Sequence, residues 1–325
     1  MSLLSSLWIC KGNDALDDLV LSLILRHNDD VTVDLDPVYP HCDESSVLDD
    51  VVDDYDTFVD DMSGKGLSSQ AVSVARKEEF DILESMGWCV PILQTEATQR
   101  PVTCRWVDVN KGDDLKPAVR SRYVAREMKH MKTLGKDESV YAPTPPADSL
   151  KLMMSLCTRP PDCVKVRRTL GFLDISRAYF WAQISRLVLI ELPEQHPLHS
   201  THYGRLLKSM YGLRTAAKEW DSEVARVMCL LGFVRGKSSP CMYEHADRQI
   251  SVSVHGDDFT CLGSAEMIKW LHQGLAKHWT VKNRGILGEG GCHEIDILNR
   301  ILRRLPDGSL ELEADPRHAE LDSHF

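Results

Sequence analysis

The stretch QISVSVHGDDFTCLG, residues 249–263, decides how this chain is read. Ile250, Val252 and Val254 alternate with Ser251, Ser253 and His255, the period-two pattern of a half-buried strand. Gly256 permits a tight turn, and Phe259, Cys261 and Leu262 restart an apolar strand. The segment is expected to form a β-hairpin with Asp257 and Asp258 at its tip. Two adjacent carboxylates there repel each other with little solvent on the sheet side, so they call for a cation. Hard oxygen ligands of this kind suit Mg2+ or Mn2+.

Asp-Asp recurs at 17, 29, 49, 53, 60, 113 and 257, so the dipeptide alone decides nothing. The other pairs lie in polar or acidic surroundings without a flanking strand pattern, and solvated surface charge accounts for them. Phe58-Val59-Asp60-Asp61 is set aside on that ground, because no apolar strand follows it. A two-metal site for phosphoryl transfer needs a further carboxylate from another strand. Asp174, ending the apolar run LGFLD, is the candidate, although an Asp before SRAYFWAQI also reads as a helix N-cap.

Outward from these runs, AVSVARKEEFDILESMGW has helical spacing and ends at Gly87. CVPILQT, VTCRWVDVN and AVRSRYVAREM read as strands. LKLMMSLCT, AAKEWDSEVARVMCLLGF and AEMIKWLHQGLAKHW read as helices, and RRTLGFLDI as a strand running into a helix. Strands and helices interleave without a regular βαβ repeat, which favours an α+β class over a doubly wound sheet.

The net charge of −11 is unevenly spread. Residues 1–70 carry 16 acids against Lys11, Arg26 and Lys65, whereas the remaining 255 residues hold 33 acids and 35 bases, which leaves a basic face available to phosphates. Residues 1–66 are expected to be an acidic, largely disordered segment, with one helix over LDDLVLSLILRH and a turn-rich linker from Met62 to Gln70. Residues 67–325 form the second division. Ten cysteines without a CxxC pair lead one to expect reduced thiols of an intracellular protein, and neither a secretory signal nor a membrane span is expected. His196, His199 and His202 flank Pro197 with no cysteine nearby, a poor metal set, and GFVRGKS has one residue too few between its glycines for a P-loop.

From about residue 71 to 320 the motifs, in order, resemble the reverse transcriptase of copia-type retrotransposons. ARKEEFDILESMGWCVPI looks like its opening segment. RWVDVN with VRSRYVAREM is similar to its basic fingers hairpin, and YAPTPPADSLKLMMSLC to the approach to the palm. LDISRAYFWAQISRLVLIELPE resembles the first catalytic motif, and GRLLKSMYGLRTAAKEWDSEVARVMCLLGFVRGKSSPCMYE is the closest match. HGDD stands where the family has Tyr-Val-Asp-Asp.

This resemblance implies a right-hand polymerase with fingers and a ferredoxin-like palm sheet, its thumb cut short after LELEADPRHAEL. It implies RNA-directed DNA polymerase activity: dNTP addition to a primer 3′-hydroxyl, on an RNA or DNA template, with two Mg2+ or Mn2+ ions. Asp174, Asp257 and Asp258 take the catalytic, metal-binding positions. Arg120, Arg122 and Arg126 face the triphosphate, Tyr179 lies under the nucleotide sugar, and Tyr211 and Gly212 line the nucleotide. Tyr179 also reads as a plain core aromatic. The alternative function is a catalytically inactive retroelement remnant that at most binds nucleic acid, and the chain is expected to be a piece of a polyprotein.

Overall fold

The computed structural model describes residues 58–113, 115–128, 140–158, 168–288, 291–297 and 300–314. The expected helix over LDDLVLSLILRH and most of the acidic segment lie outside the described residues, as does the end of the chain beyond Ala314. The described residues are of mixed α and β structure and divide into two compact units.

One unit, comprising 139–182 and 217–325 among its residues, is built on a six-stranded sheet. Its strands follow the order Val281–Leu287, Thr169–Ile175, Asp258–Gly263, Ile250–His255, Met242–His245 and Val234–Arg235. Every neighbouring pair is antiparallel. Leu173, Ile175, Ile250, Val252, Val254, Phe259 and Cys261 form one core cluster with Trp220, Val224, Val227 and Met228 of the helix Ala216–Leu230. Ile268, Leu271 and Leu275 of the helix Ala265–Leu275 complete it. Leu170, Phe172 and Leu262 meet a second cluster on the opposite face, with Met153, Leu156 and Cys157 of the helix Ala147–Cys157. Ile295, Ile297 and Leu302, from the three-stranded sheet Glu294–Ile297, Arg300–Arg304 and Leu310–Ala314, belong to the same cluster.

Both sheet faces are therefore covered. That corrects the half-buried strand expected over 250–255: Ser251 and Ser253 are 7 % exposed, because a second layer lies over the face they share with Leu262. The helix expected after Asp174 is also corrected. The strand runs to Ile175, Arg177 takes a left-handed φ of 54°, and only a single 3-10 turn, Ala178–Trp181, follows. Trp181 Nε1 donates to the Ser176 carbonyl at 3.0 Å, closing the turn onto itself. Asp174 is thus a strand residue and caps no helix.

The other unit, comprising 30–138 and 183–216, contains the two-stranded hairpin Cys104–Asn110 with Val119–Ala125. It also holds the sheet Cys89–Leu93, His202–Leu206 and Leu189–Glu191, and the helix Ser69–Ser85. Ser68 caps that helix by accepting from Ala71 N, and the chain leaves it through Gly87 at a φ of 60°. Val72, Leu83, Trp88 and Tyr123 are buried here.

The segment Phe58–Leu67 differs from the expected end of the acidic, largely disordered segment 1–66 and from the expected turn-rich linker from Met62. It forms a short hairpin. The Asp60 carboxylate accepts from Met62 N, Ser63 Oγ and Asn110 N. Asp61 accepts from Asp108 N at 2.9 Å and from Arg105 at 2.8 Å. Asp108 in turn takes a 2.6 Å contact from Arg76 and another from Ser121. Carboxylates that composition assigns to solvent are here satisfied by the local Met62 N and Ser63 Oγ together with N–H groups remote in sequence, so residues 58–66 belong to a folded unit.

His196 Nδ1 accepts from Leu198 N, and its ring stands edge-on to Phe80. The described cysteines are free thiols, and burial pushes those of Cys89 and Cys104 up to about 12. No described helix is long and apolar enough to cross a membrane.

Candidate active site

At one end of the six-stranded sheet, pairing register assembles a row of side chains. His255 pairs with Asp258, Asp258 with Asp174, and Asp174 with Lys282. Residues directly opposite in antiparallel strands share a face, with Cβ atoms about 5 Å apart. Two carboxylates therefore stand side by side, with a His and a Lys outside them. Asp257 is not on a strand. It occupies the two-residue turn with Gly256, and its carbonyl accepts from Ile175 N at 2.9 Å. The strand-end position of Asp174 and the tip position of Asp257 predict those two on adjacent strands; pairing instead makes Asp258 the cross-strand neighbour of Asp174 and leaves Asp257 in the turn.

The turn is held from below. Gly256 has a φ of 62°, which Gly adopts without cost, and its carbonyl accepts from Trp220 Nε1 at 2.7 Å. Trp220 packs on Trp279 with ring centroids 4.8 Å apart. Trp220 escaped the sequence reading, since an apolar residue on an amphipathic helix carries no mark of its hydrogen bond.

Burial and like charges set the electrostatics. The Asp258 carboxyl is pushed up to about 6, first by burial, then by Asp257 and Asp174, with Arg284 opposing. Arg284 Nη2 donates to Asp174 Oδ2 at 2.8 Å, and this bond raises the guanidinium's affinity for its proton. Arg284 was also missed. Its only sequence signal is the basic run VKNRG after a helix.

Among the described residues, no three His, Cys, Asp or Glu side chains are gathered as an ion would require. The donor set of hard carboxylates nevertheless suits Mg2+ or Mn2+, and a divalent ion there would offset the mutual repulsion of Asp258, Asp257 and Asp174. Tyr179, in the 3-10 turn, is half-buried and packs against the core cluster that includes Leu173 and Ile175.

The remaining expected residues lie in the other unit. Arg120 and Arg122 follow the outward-facing alternation of the hairpin, opposite Val109 and Val107, while Ser121 and Tyr123 are buried. Arg126 is exposed just past the strand. The Arg122 guanidinium lies over the Tyr211 ring, 4.6 Å from its centroid. Ala125 N donates to the Tyr211 carbonyl at 2.8 Å. Gly212 has a φ of 82° and sits so close that a Cβ would lie 1.8 Å from the Ala125 carbonyl oxygen. Glu127, whose side chain is fully buried, accepts from Arg214 N at 2.9 Å and pairs with Arg186 at 2.7 Å. Arg122, Tyr211 and Gly212 are thus brought together, with Glu127 fixing the loop that follows them.

The family model "Reverse transcriptase (RNA-dependent DNA polymerase)" matches residues 89–295. The chain is also similar to the "Retrovirus-related Pol polyprotein from transposon TNT 1-94" of Nicotiana tabacum, with 24 % identity over 219 residues. That match covers 65 % of this chain but 16 % of the polyprotein, so the chain spans about one sixth of that relative's length.

Proposed function

We propose, from the premise that this chain belongs to the reverse transcriptase (RNA-dependent DNA polymerase) family and is of copia type, that it is the fingers and palm of an RNA-directed DNA polymerase. In this reading the six-stranded sheet is the ferredoxin-like palm, the Cys104–Ala125 hairpin belongs to the fingers, and the thumb begins near Leu310. The observation that carries it is the carboxylate pair: Asp174 directly across from Asp258, with Asp257 in the adjoining turn.

Asp174 and Asp257 bind the ions and Asp258 assists. Two Mg2+ or Mn2+ ions held there would supply Lewis-acid activation of the primer 3′-hydroxyl and offset the charge of the leaving pyrophosphate. Trp220 holds the turn, so that the carboxylates keep their spacing without moving at the moment of reaction. Arg120, Arg122 and Arg126 neutralise the triphosphate through charge-assisted hydrogen bonds. Tyr211 and Gly212 line the nucleotide, and Tyr179 bears on its sugar. Lys and Arg side chains elsewhere hold the template–primer duplex by its phosphates.

Primer extension on an RNA or DNA template, with Mg2+ and then Mn2+, tests the reading. Extension should be present and should fall by roughly 10³-fold or more in Asp257→Ala, because several kcal/mol of charge stabilisation is lost at about tenfold per 1.4 kcal/mol. The rival reading, an inactive remnant that at most binds nucleic acid, is favoured by the Arg284–Asp174 ion pair and by His255-Gly256 ahead of the carboxylates. Absence of extension with either ion, alongside retained duplex binding, would establish it.

A further inference from the structure

We propose that Arg284 is a built-in counter-ion of the carboxylate site, holding Asp174 when no divalent ion is bound and giving way when one enters, so that it sets how much metal the site requires. This rests on the reading of Asp174, Asp257 and Asp258 as metal ligands.

Three structural features carry it. The first is the contact: Arg284 Nη2 lies 2.8 Å from Asp174 Oδ2, on an oxygen that an ion would need. Asp258 and Asp257 also attract the same guanidinium. The second is backbone register. Along the Val281–Leu287 strand the ladder passes from Asn283 opposite Leu173 to Gly285 opposite Phe172, leaving Arg284 as the extra residue of a bulge. Bulges re-aim side chains in this way beside functional sites. This one is anchored by Gly285, whose φ is 139° and whose missing Cβ would lie 2.6 Å from Cys292 Sγ. The third feature is unequal freedom. The strand is at the sheet edge, and the Arg284 side chain is 52 % exposed against 13 % for Asp174. Arg284 can swing into water, whereas Asp174 stays where it is.

Guanidinium and divalent ion compete for one carboxylate, so each weakens the other's hold. A charge-assisted contact of this kind, partly exposed, should lower metal affinity by about tenfold. The test is a Mn2+ titration followed by the EPR signal of the free ion, on the full chain as wild type, Arg284→Leu, Arg284→Lys and Asp257→Asn. Arg284→Leu should bind Mn2+ about tenfold more tightly than wild type, and Arg284→Lys, which keeps the charge, should fall between them. Without metal, Arg284→Leu should melt at a lower temperature than wild type, and Mn2+ should raise its melting point by more. Equal Mn2+ affinity in wild type and Arg284→Leu, with binding lost in Asp257→Asn, would overturn the role of Arg284 and leave the metal site standing. No Mn2+ binding by wild type or Arg284→Leu would overturn the carboxylate reading and this proposal with it.

Discussion

Gly212→Ala should be among the most damaging single changes in its unit. A Cβ at this position would lie 1.8 Å from the Ala125 carbonyl oxygen, 2.8 Å from its carbon and 2.7 Å from Val124 Cγ1. Side-chain Cβ atoms essentially never approach within 3.0 Å, so loop and strand must separate by at least 3.0 − 1.8 = 1.2 Å. That separation breaks the 2.8 Å bond from Ala125 N to the Tyr211 carbonyl. A left-handed φ costs a residue with a Cβ about 1–2 kcal/mol. The lost hydrogen bond adds about 0.5–1.5 kcal/mol, and overpacking about 1–3 kcal/mol. The sum is on the order of 3–6 kcal/mol, a large part of a typical total stability of about 5–15 kcal/mol. Gly87→Ala supplies the comparison. Gly87 lies in the same unit at a φ of 60°, but a Cβ there meets nothing within 4 Å. It should cost only the conformational part, about 1–2 kcal/mol. Urea melts of the two variants followed by tryptophan fluorescence separate close approach from backbone preference. If Gly212→Ala were no worse than Gly87→Ala, the packing of this loop on the hairpin would be refuted.

Deleting residues 1–66 should destabilise the remainder more than deleting 1–57, because only the longer cut removes the Asp60 and Asp61 contacts to Asn110, Asp108 and Arg105. Equal melting temperatures would show that the clasp contributes nothing. In metal-free protein the raised Asp258 carboxyl binds its proton more tightly folded than unfolded, so stability should fall as pH rises from about 4 to about 6 and level off above. Asp258→Asn should abolish that fall relative to wild type in urea melts with EDTA, and parallel pH profiles would refute the raised Asp258 carboxyl, whether from burial or from like charge. Tyr179→Val should admit ribonucleotides while deoxynucleotides are still incorporated, as measured by rNTP against dNTP extension. Unchanged sugar preference with a loss of about 2–4 kcal/mol in stability would make Tyr179 a core residue only.

Much of the fold was legible because its elements are local in origin. The helices read from the sequence over 71–88, 150–158, 216–233 and 265–279 exist, as Ser69–Ser85, Ala147–Cys157, Ala216–Leu230 and Ala265–Leu275, and the tight turn at Gly256 falls where the alternation breaks. The motif order also identified the family, since each motif is a short contiguous string. What local pattern could not supply is cover. Ser251 and Ser253 look solvent-facing until a second layer packs over them, and SRAYFWAQI looks helical until Arg177 turns the chain away.

By itself the sequence determined which residues carry charge, where the chain turns, and that Asp257 and Asp258 share a hairpin tip. Only tertiary structure decided which carboxylate faces Asp174. Antiparallel register is set by pairing across 84 positions of sequence, 258 − 174, and a shift of one residue would exchange the faces of every side chain. The same holds for Arg284, brought to Asp174 by one extra residue in a distant strand, and for Asp60 and Asp61. Those two read as surface charge in sequence and become buried or paired once remote N–H groups reach them. Charge is a property of a residue, but its partner is a property of the fold, because hydrogen bonds and ion pairs act over a few ångströms in space whatever the distance along the chain.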